Sequence, residues 1–202
     1  MIDRLTEVSG RAVSRETFER LERFVGLLRD EAEQQNLVSA STLDSLWDRH
    51  ILDSAQLLRF APETDASWVD IGSGAGLPGI VLACMHQGPV TLIEPRRLRA
   101  DFLGRVVEQL SLNAIVVPTK AERATGGFDI LTGRAVARLT KFIDLSAHLS
   151  TKNSRWVLPR GRNAQSELAE AKAGWQGVFH VEQSVTDADS WIVIATNVRA
   201  RR

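Results

Sequence analysis

Tyrosine is absent from the 202 residues, and cysteine occurs once, at Cys84. A single cysteine excludes an intramolecular disulfide and any cysteine-rich metal site. No apolar run is long enough to span a bilayer. The opening MIDRLTEVSG lacks an apolar signal region, so a cytoplasmic protein is expected. Internal repeats and low-complexity segments are missing. Net charge is missing too, since 25 Lys and Arg balance 25 Asp and Glu. The molecule as a whole is therefore no magnet for polyanions. What is present is an ordinary apolar share with mixed charges, which argues against disorder. The length suits one domain, residues 1–202, with a substantial core.

The chain changes character near residue 67. Before it, two helices are expected. Residues 14–36 carry Phe18, Leu21, Val25 and Leu28 at helical spacing, with Ser14 as N-cap. Residues 41–60 carry Leu43, Leu46, Trp47, Ile51, Ala55 and Leu58, with Ser41 or Thr42 as cap and Asp44 in the first turn. They make residues 1–60 a helical extension packed on the rest. From 67 to 202 short apolar runs alternate with amphipathic stretches. WVDIG, VTLIE, AIVVP, FDILTGRA and RWVLPRG read as strands. PGIVLACMHQ, RRLRADFLGRVVEQLSL, VARLTKFIDLSAHLS and NAQSELAEAKAGW read as helices. GVFHVEQSV and SWIVIATNV can pair as a terminal hairpin across TDAD. The expected fold class is α/β: a doubly wound, Rossmann-like, mainly parallel sheet with a terminal antiparallel strand.

The turn after the first strand holds Gly72, Gly74, Gly76 and Gly79, with Asp70 before them. Glycine allows a sharp turn and a close backbone approach to a ligand. In doubly wound sheets ligands sit beyond the carboxyl ends of the strands, where strand order reverses. Pro78 suits the first turn of the next helix. Glu94 ends the next strand about twenty residues on, where a carboxylate can accept both hydroxyls of an adenosine ribose. Spacing alone leaves two cofactors open. Residues 74–79 satisfy the dinucleotide pattern G-x-G-x-x-G. Residues 70–76 have the form of an S-adenosylmethionine site, in which Asp70 suits a cationic sulfonium and amine better than a pyrophosphate. The terminal hairpin also suits a methyltransferase sheet. A turn that merely packs helix on strand is the bland alternative.

NLVS at 36–39, DRHILDS at 48–54, DIGSGAGLPGIVLA at 70–83, LIEPRRLRADFL at 92–103, KAE at 120–122 and GRAVA at 133–137 occur in this order. Over about residues 30–163 the chain resembles the glucose-inhibited division protein B family. These are bacterial methyltransferases acting on a guanine N7 of small-subunit, 16S, ribosomal RNA. The resemblance implies S-adenosylmethionine as cofactor. It assigns cofactor contacts to Gly72, Leu77, the Ala121–Glu122 pair and Arg134, beside the Gly74, Gly76 and Glu94 of the turn. Arg134 would position substrate and donor, or would support the site through a salt bridge to Asp70 or Glu94. Lys120, Arg123 and Arg160 are candidate RNA contacts. Family members often carry Arg where Lys120 stands and Lys where Arg160 stands; both changes keep charge and alter donor geometry. The implied partner is 16S ribosomal RNA or the small ribosomal subunit, bound by a monomer, with no membrane and no metal.

Guanine N7 has a free lone pair and no proton to lose, so this chemistry needs no general base; positioning and electrostatics suffice. The sequence lacks the D/N-P-P-Y/F motif of amino-group methyltransferases. Cys84, inside an apolar run, reads as a small buried hydrophobe rather than a nucleophile. His50 reads as a packed, hydrogen-bonded residue on a helix where Arg49 and Asp53 pair at i, i+4. N7 lies on the deep, narrow groove of an RNA helix, so the target guanine must sit in a loop or be exposed by the enzyme. An aromatic residue should stack on it, and the sequence singles out none. Two other readings stand beside this one: an NAD-dependent reductase, and an S-adenosylmethionine-binding RNA module without activity.

Overall fold

The structure is a computed structural model that describes residues 1–35, 37, 45–61 and 63–201. Asn36, Val38 and Ser39 of NLVS, and the expected caps and first turn at Ser41, Thr42, Leu43 and Asp44, lie outside the described residues. Seven strands form one sheet in the order β3-β2-β1-β4-β5-β7-β6. They are β1 (Trp68–Ile71), β2 (Val90–Ile93), β3 (Ala114–Val117), β4 (Phe128–Thr132), β5 (Ser150–Arg160), β6 (Trp175–Gln183) and β7 (Trp191–Ala200). The first five are parallel, and β7 runs antiparallel between β5 and β6. β1 and β2 are buried at every position, as their unbroken apolar runs require. Order reverses on either side of β1, so its carboxyl end is the switch point where such sheets bind ligands.

The expected helix at 14–36 is Arg15–Ala32 (α2), with the Ser14 hydroxyl accepting the Thr17 N–H. Leu21, Val25 and Leu28 are buried as the stripe requires, and so is Phe24. Each such burial stabilises by roughly 1.5–3 kcal/mol, which docks the extension firmly. A short helix, Ile2–Ser9 (α1), precedes it and ends on Gly10 at φ 67°. The second expected helix is not a regular α-helix. It runs as a π-helical stretch Trp47–Leu52, an α-turn Asp53–Ala55 and a 3-10 stretch Gln56–Phe60. The single stripe therefore fails: Leu52, Ser54, Gln56 and Leu57 are buried with Ile51, Ala55 and Leu58. The changing pitch brings successive side chains to different neighbours, and Gln56 is drawn toward the β6–β7 hairpin.

Further on, α3 is Gly79–Met85, α4 Arg97–Gln109, α5 Leu139–Ser146 and α6 Ala164–Gly174. Pro78 stands at the N-cap of α3, just before its first turn. β4 stops at Thr132, and α5 starts three residues later than VARL suggests. The intervening residues 133–138 form an irregular loop over the sheet edge. Among the described residues no helix is long and apolar enough to cross a membrane.

Candidate functional site

The glycine turn is tied to the neighbouring strand end by backbone and side chain together. The Gly72 and Ser73 N–H groups donate to the Ile93 carbonyl at 2.8 and 3.0 Å. Glu94 is buried; its Oε2 accepts the Gly74 N–H at 2.8 Å and its Oε1 accepts the Arg96 N–H at 2.9 Å. One carboxylate thus holds the turn and the start of α4 in register. It retains further lone pairs for a ligand.

The four glycines do different work. A Cβ on Gly79 would collide with Leu92 and stand 2.6 Å from Asp70 Oδ2, so this glycine lets α3 pack onto β1. Gly76 is pressed against Ile80 and Leu103, and Gly72 against Val136. Gly74 is different. Its φ is 55°, and a Cβ there would meet nothing closer than 3.7 Å. Its left-handed backbone by itself favours glycine, and a Cβ would make only ordinary contact with the Arg99 guanidinium and the Gly72 carbonyl. Gly74 is thus the glycine of the turn least bound by packing, and its N–H is held by the Glu94 carboxylate, an arrangement that fits an adenosine cofactor.

Asp70 lies beneath the turn. It is fully enclosed, with Oδ2 accepting the Gly79 N–H at 3.0 Å and Oδ1 without a partner. Burial pushes its carboxyl up to about 7, against the Gly79 N–H and the Arg134 charge. A buried, partly protonated acid is not the fixed negative charge expected beside a sulfonium; Asp70 anchors α3 instead. The Leu77 side chain likewise joins the core, so only its backbone can meet a cofactor. Ala121 and Glu122 lie in a 3-10 turn, Ala121–Arg123, beyond β3; Ala121 is buried and Glu122 exposed.

Arg134 pairs with Asp53 at 3.2 Å, not with Asp70 or Glu94. It also reaches the Arg49 carbonyl, so Asp53 does not serve Arg49. The other Asp53 oxygen accepts from Gln56 Nε2 at 2.7 Å and the Thr186 hydroxyl at 3.1 Å. Asp53 is therefore the joint of three segments, and no motif marked it as a site residue. Its partners are 81 and 133 positions away, beyond any local pattern. His50 is packed as expected, but its two ring nitrogens are buried without hydrogen-bond partners. Burial first, then the Arg134 and Arg49 charges, push it down to about 4. With its ring nitrogens closed off and its pKa lowered, it is a poor candidate for a general base. Burial also pushes the Cys84 thiol up to about 12, which removes it as a nucleophile.

Lys120 and Arg123 are exposed beside the 3-10 turn. Arg160 does not join them. Its guanidinium turns inward, 5.2 Å from the Phe142 ring centroid, and donates from Nη1 to the Ala137 carbonyl at 2.7 Å. Its Nε and Nη2 are buried without partners, and burial lowers its pKa. Arg160 pins the 133–138 loop rather than offering a free charge. Among the described residues no group of three His, Cys, Asp or Glu is placed to hold a metal.

A parallel sheet switching at a glycine turn, with a carboxylate after β2 and an antiparallel terminal strand, defines a Rossmann-like methyltransferase. Solved structures share this fold. A TehB-like SAM-dependent methyltransferase from Corynebacterium glutamicum superposes with a TM-score of 0.52 at 15% identity, over 72% of this chain and 87% of that one. A mutant of MtNAS in complex with S-adenosylmethionine superposes with a TM-score of 0.58 at 17% identity, over 88% and 74%. Residues 17–190 match the family model GidB, rRNA small subunit methyltransferase G, and the chain belongs to that family. The ribosomal RNA small subunit methyltransferase G of Sphingopyxis alaskensis is 48% identical over 188 residues, 92% of this chain and 81% of the relative. That of Zymomonas mobilis subsp. mobilis is 43% identical over 199 residues, 94% and 90%. The protein is an S-adenosylmethionine-dependent methyltransferase, and the reductase reading falls.

Proposed function

We propose that the protein methylates N7 of a guanine in a loop of 16S ribosomal RNA, acting in the cytoplasm as a single-domain monomer. The bound cofactor supplies a methyl group on a cationic sulfur. Gly72, Gly74, Gly76 and the Leu77 backbone cradle it, Glu94 accepts the ribose hydroxyls, and Ala121 with Glu122 faces the adenine. Arg134, held by Asp53, keeps the loop after β4 in place between donor and acceptor. Lys120 and Arg123 face RNA phosphates, and Arg160 acts through the loop it pins.

The observation that carries the N7 assignment is the state of the titratable groups around that loop. Asp53 is spent on Arg134, Gln56 and Thr186. The ring nitrogens of His50 are closed off and Asp70 is buried. With Asp53, His50 and Asp70 so engaged, the surroundings of the loop suit a nucleophile that has no proton to lose. Guanine N7 attacks with its own lone pair, and the ring becomes cationic. Single-turnover methylation of the small subunit should therefore be nearly flat between about pH 6 and 8.5. A rate falling tenfold per unit below the histidine value of about 6.5 would point to a base and away from N7. Ribosomal RNA from cells lacking the protein should lose one N7-methylguanine.

A further inference from the structure

A cleft of about 450 Å³ at the carboxyl ends of the strands is not yet accounted for. That volume falls in the usual range for small-molecule sites. It lies beyond the ends of β4 and β5. Its lining includes Asp53, Arg134, Arg138, Arg160, Glu167 and Trp191. Trp191 opens β7 directly opposite Arg160 in the sheet register, so its ring is placed by the strand pair, not by a loose loop.

Residues 134–138 of the loop line this cleft, and the same loop reaches the cofactor turn. Ala135, at φ 57°, turns the loop back. Val136 then lies against Gly72, close enough that a Cβ there would fall 2.8 Å from its Cγ2. On the other side Ala137 holds Arg160.

The lining decides which part of an RNA fits. Three arginines suggest phosphate, yet Arg134 and Arg160 are committed within the fold, and only Arg138, in a surface ion pair with Glu170, stands open to solvent. Arg134 pairs with Asp53 and Arg138 with Glu170. The remaining N–H groups of Arg160 are closed off from solvent. What is left is an aromatic wall and a carboxylate. Glu167 Oε2 accepts the Leu139 N–H at 3.0 Å, and its Oε1 has no hydrogen bond among the described residues. A flat ring with adjacent N–H donors matches that pair of features. Of the bases, guanine presents two such donors on one edge, N1–H and N2–H, opposite the ring nitrogen N7.

Resting on the methyltransferase reading above, we infer that this cleft receives the target guanine, turned out of the RNA, with Trp191 stacked on the ring and Glu167 accepting its N1–H and N2–H. Turning out a base already in a loop costs little stacking. In the reaction N7 forms the bond to the methyl carbon as the carbon–sulfur bond breaks and sulfur keeps the pair. Positive charge moves onto the purine and no proton leaves. An indole face and a carboxylate both favour a ring that is gaining positive charge. The self-paired arginines keep the cleft from repelling it.

Single-turnover methylation of the small subunit tests this, together with calorimetric titration of 7-methylguanosine 5′-monophosphate and of guanosine 5′-monophosphate. Trp191→Leu should slow methylation about tenfold or more with the S-adenosylmethionine dissociation constant unchanged, and Trp191→Phe should restore it to within about threefold. Glu167→Gln should slow it similarly, since the amide keeps an acceptor for Leu139 but loses the charge. Wild type should bind the methylated nucleotide more tightly than the unmethylated one, and Trp191→Leu should abolish the difference. Rates within twofold of wild type for both Trp191→Leu and Glu167→Gln would overturn the inference and leave the N7 reading intact. Absence of any N7 methylation by wild type would overturn that reading, while the nucleotide titrations would still judge the cleft.

Discussion

Gly74 and Asp70 sit four residues apart and face opposite demands. A Cβ on Gly74 would meet only ordinary contacts, whereas Asp70 is enclosed beneath it. Gly74→Ala places one methyl group where the ligand approaches, in a conformation that costs a non-glycine residue roughly 1 kcal/mol. Calorimetry should show S-adenosylmethionine binding about tenfold weaker with the fold retained; unaltered binding would remove Gly74 from the cradle. The charge of Asp70 makes a separate prediction. Its carboxyl is pushed up to about 7, so the folded protein keeps a proton that the unfolded chain loses near 4. This contribution is complete at low pH and is lost as pH rises toward 7. His50 is pushed down to about 4, so its contribution is complete above 6.5 and is lost as pH falls. Between pH 5 and 7 the two slopes oppose each other. Asp70→Asn should leave only the histidine slope, so its melting temperature should rise more from pH 5 to pH 7 than that of wild type. Identical profiles would show that Asp70 is ionised throughout.

At the scale of elements, the mixed helical segment and the terminal hairpin are joined through Gln56. Its buried amide donates to Asp53 and Ser184 and accepts the Val185 N–H at 3.0 Å. Gln56→Ala would strand several of these groups at once, at roughly 1–3 kcal/mol for each left buried. Urea unfolding should show a loss of about 2–3 kcal/mol, with faster amide exchange at residues 184–187; a loss below about 0.5 kcal/mol would mean that the hairpin holds its own position. The seven strands and five of the helices, α2 to α6, were legible from period and turn signals, because each buries a face set by its own residues. The pitch of the 47–60 segment was not. A buried glutamine reaching a hairpin 128 positions away shapes it, and that reach leaves no local period.

The whole molecule is neutral, so RNA must be drawn by where charge is placed, not by its sum. Lys120 and Arg123 stand exposed beyond β3, whereas Arg160 is turned inward. Binding of ribosomal RNA at several salt concentrations distinguishes them. The double variant Lys120→Ala, Arg123→Ala should reduce the slope of log K against log salt by about 1.4–1.8, for two lost phosphate contacts. Arg160→Ala should leave that slope alone and lower stability. A slope change confined to Arg160→Ala would mean that the inward guanidinium swings out to meet RNA.

Sequence alone determined the α/β class, the glycine turn, the Glu94 carboxylate and the family resemblance, because each is written in a run of neighbouring residues. Tertiary structure decided the rest of the site. It made Asp53 the partner of Arg134, buried Asp70 and Arg160, and set Trp191 across a cleft from the cofactor turn. Those relations join residues far apart in the chain, and which of two charges becomes a contact or an anchor depends on burial. Burial is a property of the packed sheet and its loops, and no local run of residues specifies it.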